Sequence, residues 1–176
     1  MINLNIKEVT ESLIDTFIGA GHLSLKLREK GLIKKTKSDN TPVSNGDLEV
    51  NKLIINKLKI ITPSIPIVSE ESSENKSIKN LENFWLVDPI DGTYDYINNL
   101  DEFTINAGLI INRVPVAGLI YAPALKRMFF SFGPNFSFEI SNDKTIKLDC
   151  SKNFDKEMIK FVSYSNKIKP EISKIY

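Results

Sequence analysis

Between Phe84 and Leu148 the chain reads as a succession of short apolar or alternating segments broken by turn residues, and this limits its folds more than any other feature. Phe84-Trp85-Leu86-Val87 is an apolar run ending abruptly at Asp88-Pro89, the pattern of a buried strand. Phe103 to Ile111 alternates, placing Phe103, Ile105, Ala107, Leu109 and Ile111 on one face, and Asn112-Arg113 supplies a hairpin turn into Val114 to Tyr121. Lys126 to Phe132, Phe136 to Ile140, Lys144 to Leu148 and Lys160 to Tyr164 continue the series, with Gly133-Pro134-Asn135 as a further turn. The expectation is a mostly antiparallel meander.

Ahead of it the periodicity changes. Ile6, Val9, Leu13, Phe17, Ala20 and Leu27 fall at helical spacing, which predicts one long amphipathic helix over residues 6–29 with Gly31 as its stop. Leu32 to Thr41 is polar and basic, a loop or irregular hairpin. A second helix is predicted over residues 45–61, with Val50, Leu53, Ile54, Leu58 and Ile61 on one face. Pro63 to Ser69 reads as a short strand and Ile78 to Asn83 as a helical turn. Two helices followed by a meander define an α+β or layered α/β domain.

The 176 residues are 41% hydrophobic and 26% charged, a globular composition that excludes collagen-like and disordered readings. The longest uncharged stretch, Val114 to Leu125, is too short to cross a bilayer. Met1 is followed by no basic-then-apolar segment, so the expected address is cytoplasmic. Cys150 is the only cysteine and cannot form an internal disulfide. The net charge of +1 gives no reason to expect a nucleic-acid polymer as partner. Its distribution is uneven: residues 61–102 carry a net −7, flanked by +3 before and +5 after. An acidic block of this kind is either a solvated surface or a place where cations bind.

Its carboxylates sit at the ends of predicted elements. Trp85-Leu86-Val87-Asp88-Pro89-Ile90-Asp91-Gly92-Thr93 delivers two aspartates, three residues apart, onto a segment that Pro89 stiffens. Ser69-Glu70-Glu71 follows another short strand. Asp47 opens the second helix, where Ser44 and Asp47 have the spacing of a capping box worth about 1 kcal/mol. Read alone, Asp-Pro and Asp-Gly are common turn pairs. Together, carboxylates at several element ends suit hard divalent cations.

In this order and at these separations, Asp47, Ser69-Glu70-Glu71 and Trp85 to Thr93 resemble the inositol monophosphatase superfamily of magnesium-dependent, lithium-sensitive phosphatases, from about Lys7 through Tyr164. Lys37-Ser38-Asp39-Asn40-Thr41-Pro42-Val43-Ser44 and Glu102-Phe103-Thr104-Ile105-Asn106 look most like the 3′(2′),5′-bisphosphate nucleotidase (CysQ-type) branch. Tyr94-Asp95-Tyr96 departs from both that branch and the inositol phosphatases.

The resemblance implies a layered sugar-phosphatase fold and two or three magnesium ions in an intact member. Glu70, Asp88 and the Ile90 carbonyl would be ligands of the first ion, and Asp88 and Asp91 of the second. Asp47 and Thr93, with Glu70, would orient and activate the attacking water. Gly92, Thr93 and Asp91 would receive the substrate phosphate. It also implies residues 1–150 as a metal-binding lobe and residues 151–176 as the start of a second lobe, which in the family supplies the last ligand of the second ion. One complete magnesium site is therefore expected here. The implied partner is a small phosphorylated metabolite, with self-association through a face the second lobe would otherwise cover, and peripheral attachment to the inner membrane as a second setting.

Three functions follow from these readings. The first is removal of the 3′-phosphate of adenosine 3′,5′-bisphosphate. The second is hydrolysis of inositol phosphate or a related sugar phosphate. The third is a truncated, weakly active or inactive metal- or phosphate-binding remnant. Outside this set, His22 reads as a partly buried structural residue, and Phe129, Phe130, Phe132, Phe136 and Phe138 as packing on adjacent strands. Glu71 and Asp95 read as supporting groups or solvated charges, and Lys37 as a helper of substrate or water, or a surface lysine.

Overall fold

Asn5 accepts the Glu8 N–H on its side chain and starts α1 (Ile6–Glu11) in the computed structural model, which describes residues 4–38, 40–72 and 80–149. The single helix expected over residues 6–29 is two, because α2 begins afresh as Ile14–Lys30. At the break the Leu13 N–H reaches back three residues to Thr10, and the Ser12 hydroxyl bonds the Val9 carbonyl at 2.8 Å. Leu13 stays fully buried, so the apolar stripe runs through a break that periodicity does not register. Gly31 ends α2 as expected.

The segment that follows is an irregular hairpin of β1 (Lys34–Thr36) against β2 (Pro42–Ser44). The second helix, α3, spans Asn45–Ile61, with Ser44 and Asp47 forming the anticipated capping box. The strand expected from Pro63 is confined to β3 (Ile67–Ser69). Pro63 and Pro66 lack the N–H a ladder needs. Of the helical turn expected at residues 78–83, residues 78 and 79 lie outside the described set, and residues 80–83 hold turn and bend. The strand expected at Lys160 to Tyr164, Cys150 and the division at residue 150 also fall outside it, as does everything from residue 151 onward.

The rest is the expected meander. After β4 (Phe84–Asp91) and the short α4 (Thr93–Ile97) come β5 (Thr104–Ile111), β6 (Val114–Ala122), β7 (Arg127–Ser131), β8 (Ser137–Ser141) and β9 (Lys144–Lys147). They form one seven-stranded sheet in chain order from β3, with β3 and β4 parallel and all later neighbours antiparallel. Asn112 and Arg113 turn with φ of 51° and 64°, the left-handed pair a two-residue hairpin loop demands.

Helices pack on one face of this sheet. Phe17 and Ala20 of α2 and Val50, Ile54 and Leu58 of α3 are buried against Trp85, Val87, Ile105, Leu109 and Leu119. Trp85 is fully buried and satisfies its indole N–H on the Thr62 hydroxyl at 3.0 Å, which is why so large a side chain fits here without leaving a donor orphaned. On the other face Leu86 and Ile120 are about half exposed (52% and 47%), and no described helix covers them. The phenylalanines pack as expected in part: Phe130, Phe132, Phe136 and Phe138 stack, while Phe136 is itself exposed. His22 is exposed on α2, not partly buried. No described helix is long and apolar enough to cross a membrane.

Candidate active site

Strand β4 does more than the sequence pattern implied. It continues past Val87 through the Asp-Pro step to Asp91, because Pro89 sits where the ladder slips and no N–H is needed from it. Asp88 pairs with Asn106 on β5 and Asp91 with Thr104, so three steps along β4 match two along β5. In a regular strand residues three apart face opposite sides. The extra residue turns Asp91 onto the same side as Asp88, a bulge re-aiming a side chain.

Immediately after, Gly92 adopts φ +88°, and a Cβ there would lie 2.7 Å from the Glu102 carbonyl oxygen. Only glycine takes this position without strain, and it starts α4. Helix α4 is tied down by Tyr96, fully buried, whose hydroxyl donates to the Ser24 carbonyl at 2.7 Å. Burial, followed by the nearby Asp47 charge, pushes that phenol above its ordinary range, so it stays a donor. Its ring lies so close to Gly46 that any side chain at Gly46 would overlap it. This docking sets the start of α4 against the start of α3.

There Thr93 meets Asp47. The Thr93 hydroxyl lies 3.1 Å from Asp47 Oδ1 and 2.9 Å from the Ile90 carbonyl, two acceptors for one proton. Asp47 is 1% exposed, and its Oδ2 accepts the Ser44 N–H at 2.8 Å and the Ser44 hydroxyl at 2.6 Å. The helix cap and the contact with Thr93 use different oxygens of one carboxylate, so the structural and the chemical readings of Asp47 coexist.

Glu70 follows the end of β3 and receives the Lys37 ammonium at 2.9 Å, while Glu71 receives it at 2.6 Å. Glu71 is not a solvated charge: its side chain is 6% exposed, and Lys37 is its ion-pair partner. Burial raises the Glu71 carboxyl despite that pairing, whereas Lys37, which burial would lower, is raised overall by its bonds to Glu71 and Glu70. The two shifts pull on one contact in opposite senses, and the 2.6 Å approach inside a mostly enclosed pair identifies it as a genuine ion pair. Lys37 is therefore no surface lysine, a contact across 33 residues that local pattern could not reveal.

Asp88 stands apart. Burial first, then the charges of Glu70 and Asp91, push its carboxyl up to about 7, and a hydrogen bond with Glu70 adds to the rise. The Ile90 N–H pulls the other way. Asp88 Oδ1 is buried with no partner. Asp91 is exposed and accepts the Asn106 amide at 3.2 Å. The structure thus brings Glu70 and Asp91 each within electrostatic reach of Asp88, with Ile90, Thr93 and Asp47 alongside.

Among the described residues no three His, Cys, Asp or Glu side chains form a ready-made metal cluster. Glu70 is turned to Lys37 and Asp91 to Asn106, each held by a donor of the protein. The residues nonetheless fit a hard divalent cation. Every donor is oxygen, one buried carboxylate oxygen lacks any partner, and like charges already disfavour the ionised form of Asp88.

A parallel strand followed by a glutamate, a bulged Asp-Pro-Ile-Asp strand and a glycine-started helix together define the site. The chain is a member of the inositol monophosphatase family, whose model matches residues 5–170. It is 38% identical to the 3′(2′),5′-bisphosphate nucleotidase CysQ of Buchnera aphidicola subsp. Acyrthosiphon pisum over 137 residues, covering 76% of this chain and 52% of the relative. It is 31% identical to the protein of the same name from Haemophilus influenzae over 161 residues, covering 90% of this chain and 60% of the relative. The crystal structure of CysQ from Bacteroides thetaiotaomicron superposes with a TM-score of 0.67 at 25% identity, over 98% of this chain and 68% of that one. The chain spans between about two fifths and three fifths of the length of the curated relatives it matches.

Proposed function

We propose that the chain carries the metal-binding and phosphate-handling part of a magnesium-dependent phosphomonoesterase acting on adenosine 3′,5′-bisphosphate, releasing AMP and phosphate. The observation that carries this is the bulge in β4, which turns Asp91 to the side of Asp88, beside Glu70 and just before the Thr93–Asp47 contact. Glu70, Asp88 and the Ile90 carbonyl would hold one ion, and Asp88 and Asp91 would face a second. On this reading residues 1–150 form that part, and residues 151–176 open a second lobe.

Bound magnesium would supply positive charge against the phosphate and lower the pKa of a water. The chain's own groups do the positioning. The Ile90 carbonyl accepts from Thr93 and keeps a second lone pair. Thr93, its proton directed to Asp47 or Ile90, has oxygen lone pairs left to orient a water, and Asp47 is the acceptor behind it. The backbone N–H groups of Gly92 and Thr93, at the start of α4, would be the donors to the phosphate. A P–O bond forms to the water oxygen and the bond to the 3′ oxygen breaks, that oxygen leaving with a proton as the 3′-hydroxyl.

The nucleotidase choice over an inositol phosphate is supported by the names of the relatives and by Glu102-Phe103-Thr104, whose residues border an opening beside Asp91 and Gly92. Of the departing triplet Tyr94-Asp95-Tyr96, Tyr96 is core, Asp95 is half-buried and Tyr94 is exposed, so the departure at Tyr96 serves packing and that at Tyr94 does not. A phosphate-release assay with and without magnesium should give a higher kcat/KM for adenosine 3′,5′-bisphosphate than for inositol 1-phosphate. The reverse preference would move the protein to the inositol branch, and release unaffected by magnesium would remove the metal from the account.

A further inference from the structure

We infer that Asn106 is a positioning residue of this site, holding the Asp91 carboxylate from the neighbouring strand and keeping an oxygen open beside Asp88. This rests on the reading of Glu70, Asp88 and Asp91 as cation ligands.

Asn106 is the direct cross-strand partner of Asp88, and its amide nitrogen spans the bulge to reach Asp91 Oδ2 at 3.2 Å. Asp91 in its ionised form only accepts, so the amide must present nitrogen to it and oxygen away from it. That oxygen, Asn106 Oδ1, is buried and has no partner, and neither has Asp88 Oδ1. With Asp88 ionised these are two buried acceptors on paired residues, which cannot satisfy each other unless a proton, another donor or a cation comes between them.

Such an arrangement is poor design for a bare sheet. The same row of the ladder continues from Asn106 into Ile120 and Phe129, apolar residues that ask for no hydrogen bond. An aliphatic side chain at position 106 would pair there without leaving an orphaned oxygen. Asparagine is the worse choice for packing and the better one for holding a ligand carboxylate while accepting from whatever enters with the cation. Groups that orient metal ligands in this way commonly change metal affinity 10- to 100-fold when removed.

The test is a calorimetric titration with magnesium chloride, paired with melting curves in EDTA, on the full chain and on Asn106→Leu and Asn106→Val. The inference expects the EDTA midpoint of either variant to match or exceed that of the unmodified chain, because an unsatisfied oxygen has gone. It expects the magnesium dissociation constant to rise about tenfold. A residue that merely packs would do the opposite, lowering the EDTA midpoint and leaving magnesium affinity as it was, and that result, or failure of both variants to fold, would overturn the assignment. If the unmodified chain binds no magnesium, the cation reading falls and this inference with it. If it binds and both variants bind equally well, this inference alone fails.

Discussion

From β6 to β9 the sheet pairs without a slip, and its side chains satisfy one another: Phe138 stacks on Phe130 at 5.2 Å and on Phe132 at 5.3 Å, and Arg127 pairs with Glu139 at 2.7 Å. From β3 to β5 the same sheet carries one parallel pairing and a bulge, and leaves two carboxylate or amide oxygens buried without partners. Apolar contacts and regular ladders stabilise the first half. The second gives up part of that stability to hold like charges together, which is what a site for a cation requires. The division yields different expectations for variants in each half.

The largest effect on stability should come from the packing half. Phe130→Ala removes a buried ring stacked on Phe138 and should cost about 3–4 kcal/mol in denaturant unfolding. The shift that magnesium produces in the melting midpoint should survive in this variant. If magnesium dependence disappears along with stability, the two halves are not separable.

A smaller loss is expected at the junction. Gly92→Ala must place a Cβ against the Glu102 carbonyl at φ +88°, and should cost roughly 2–3 kcal/mol. Because Gly92 precedes Thr93, phosphate release should fall by more than the lost folded fraction explains. Denaturant curves and turnover measured on the same preparation decide the point.

The smallest effect concerns pH. Asp88 binds its proton more tightly in the folded chain, up to about 7, than in the unfolded chain, near 4. The folded state therefore holds the extra proton between these values, and the contribution of Asp88 to metal-free stability is fully present below pH 4 and is lost as pH rises through 7. Solvent reaches the site, so the decline should be only about 1 kcal/mol. Urea unfolding in EDTA at pH 5 and pH 8 measures it. Asp88→Asn should flatten the difference, and an unchanged slope in that variant would assign it to another group.

Much of this molecule was legible in its sequence, and what escaped has physical causes. Helix α3 could be read end to end, because an apolar stripe and a capping box are both local signals. The break at Ser12 could not, since Leu13 continues the stripe across it. The carboxylates could be named from Asp-Pro-Ile-Asp-Gly-Thr and its resemblance, yet spacing alone puts Asp88 and Asp91 on opposite sides of a strand, and the bulge that reconciles them depends on pairing with β5. Lys37 and Asn106 belong to the same limit. Both lie in segments that resemble the nucleotidase branch, yet each meets its partner across a distance in sequence, one from the hairpin before α3 and one from the next strand, and no local pattern names that partner.

The central claim is that β3–β5 are built around a cation held by Glu70, Asp88 and Asp91, and Asp88→Asn tests it most directly through melting curves with EDTA and with magnesium. The account expects the unmodified chain to melt higher in magnesium than in EDTA. The variant should show no such rise, while its EDTA midpoint equals or exceeds that of the unmodified chain because a carboxylate that repels its neighbours and leaves one buried oxygen unsatisfied has gone. A variant that melts lower in EDTA and still gains the full magnesium shift would contradict the claim, making Asp88 a structural residue.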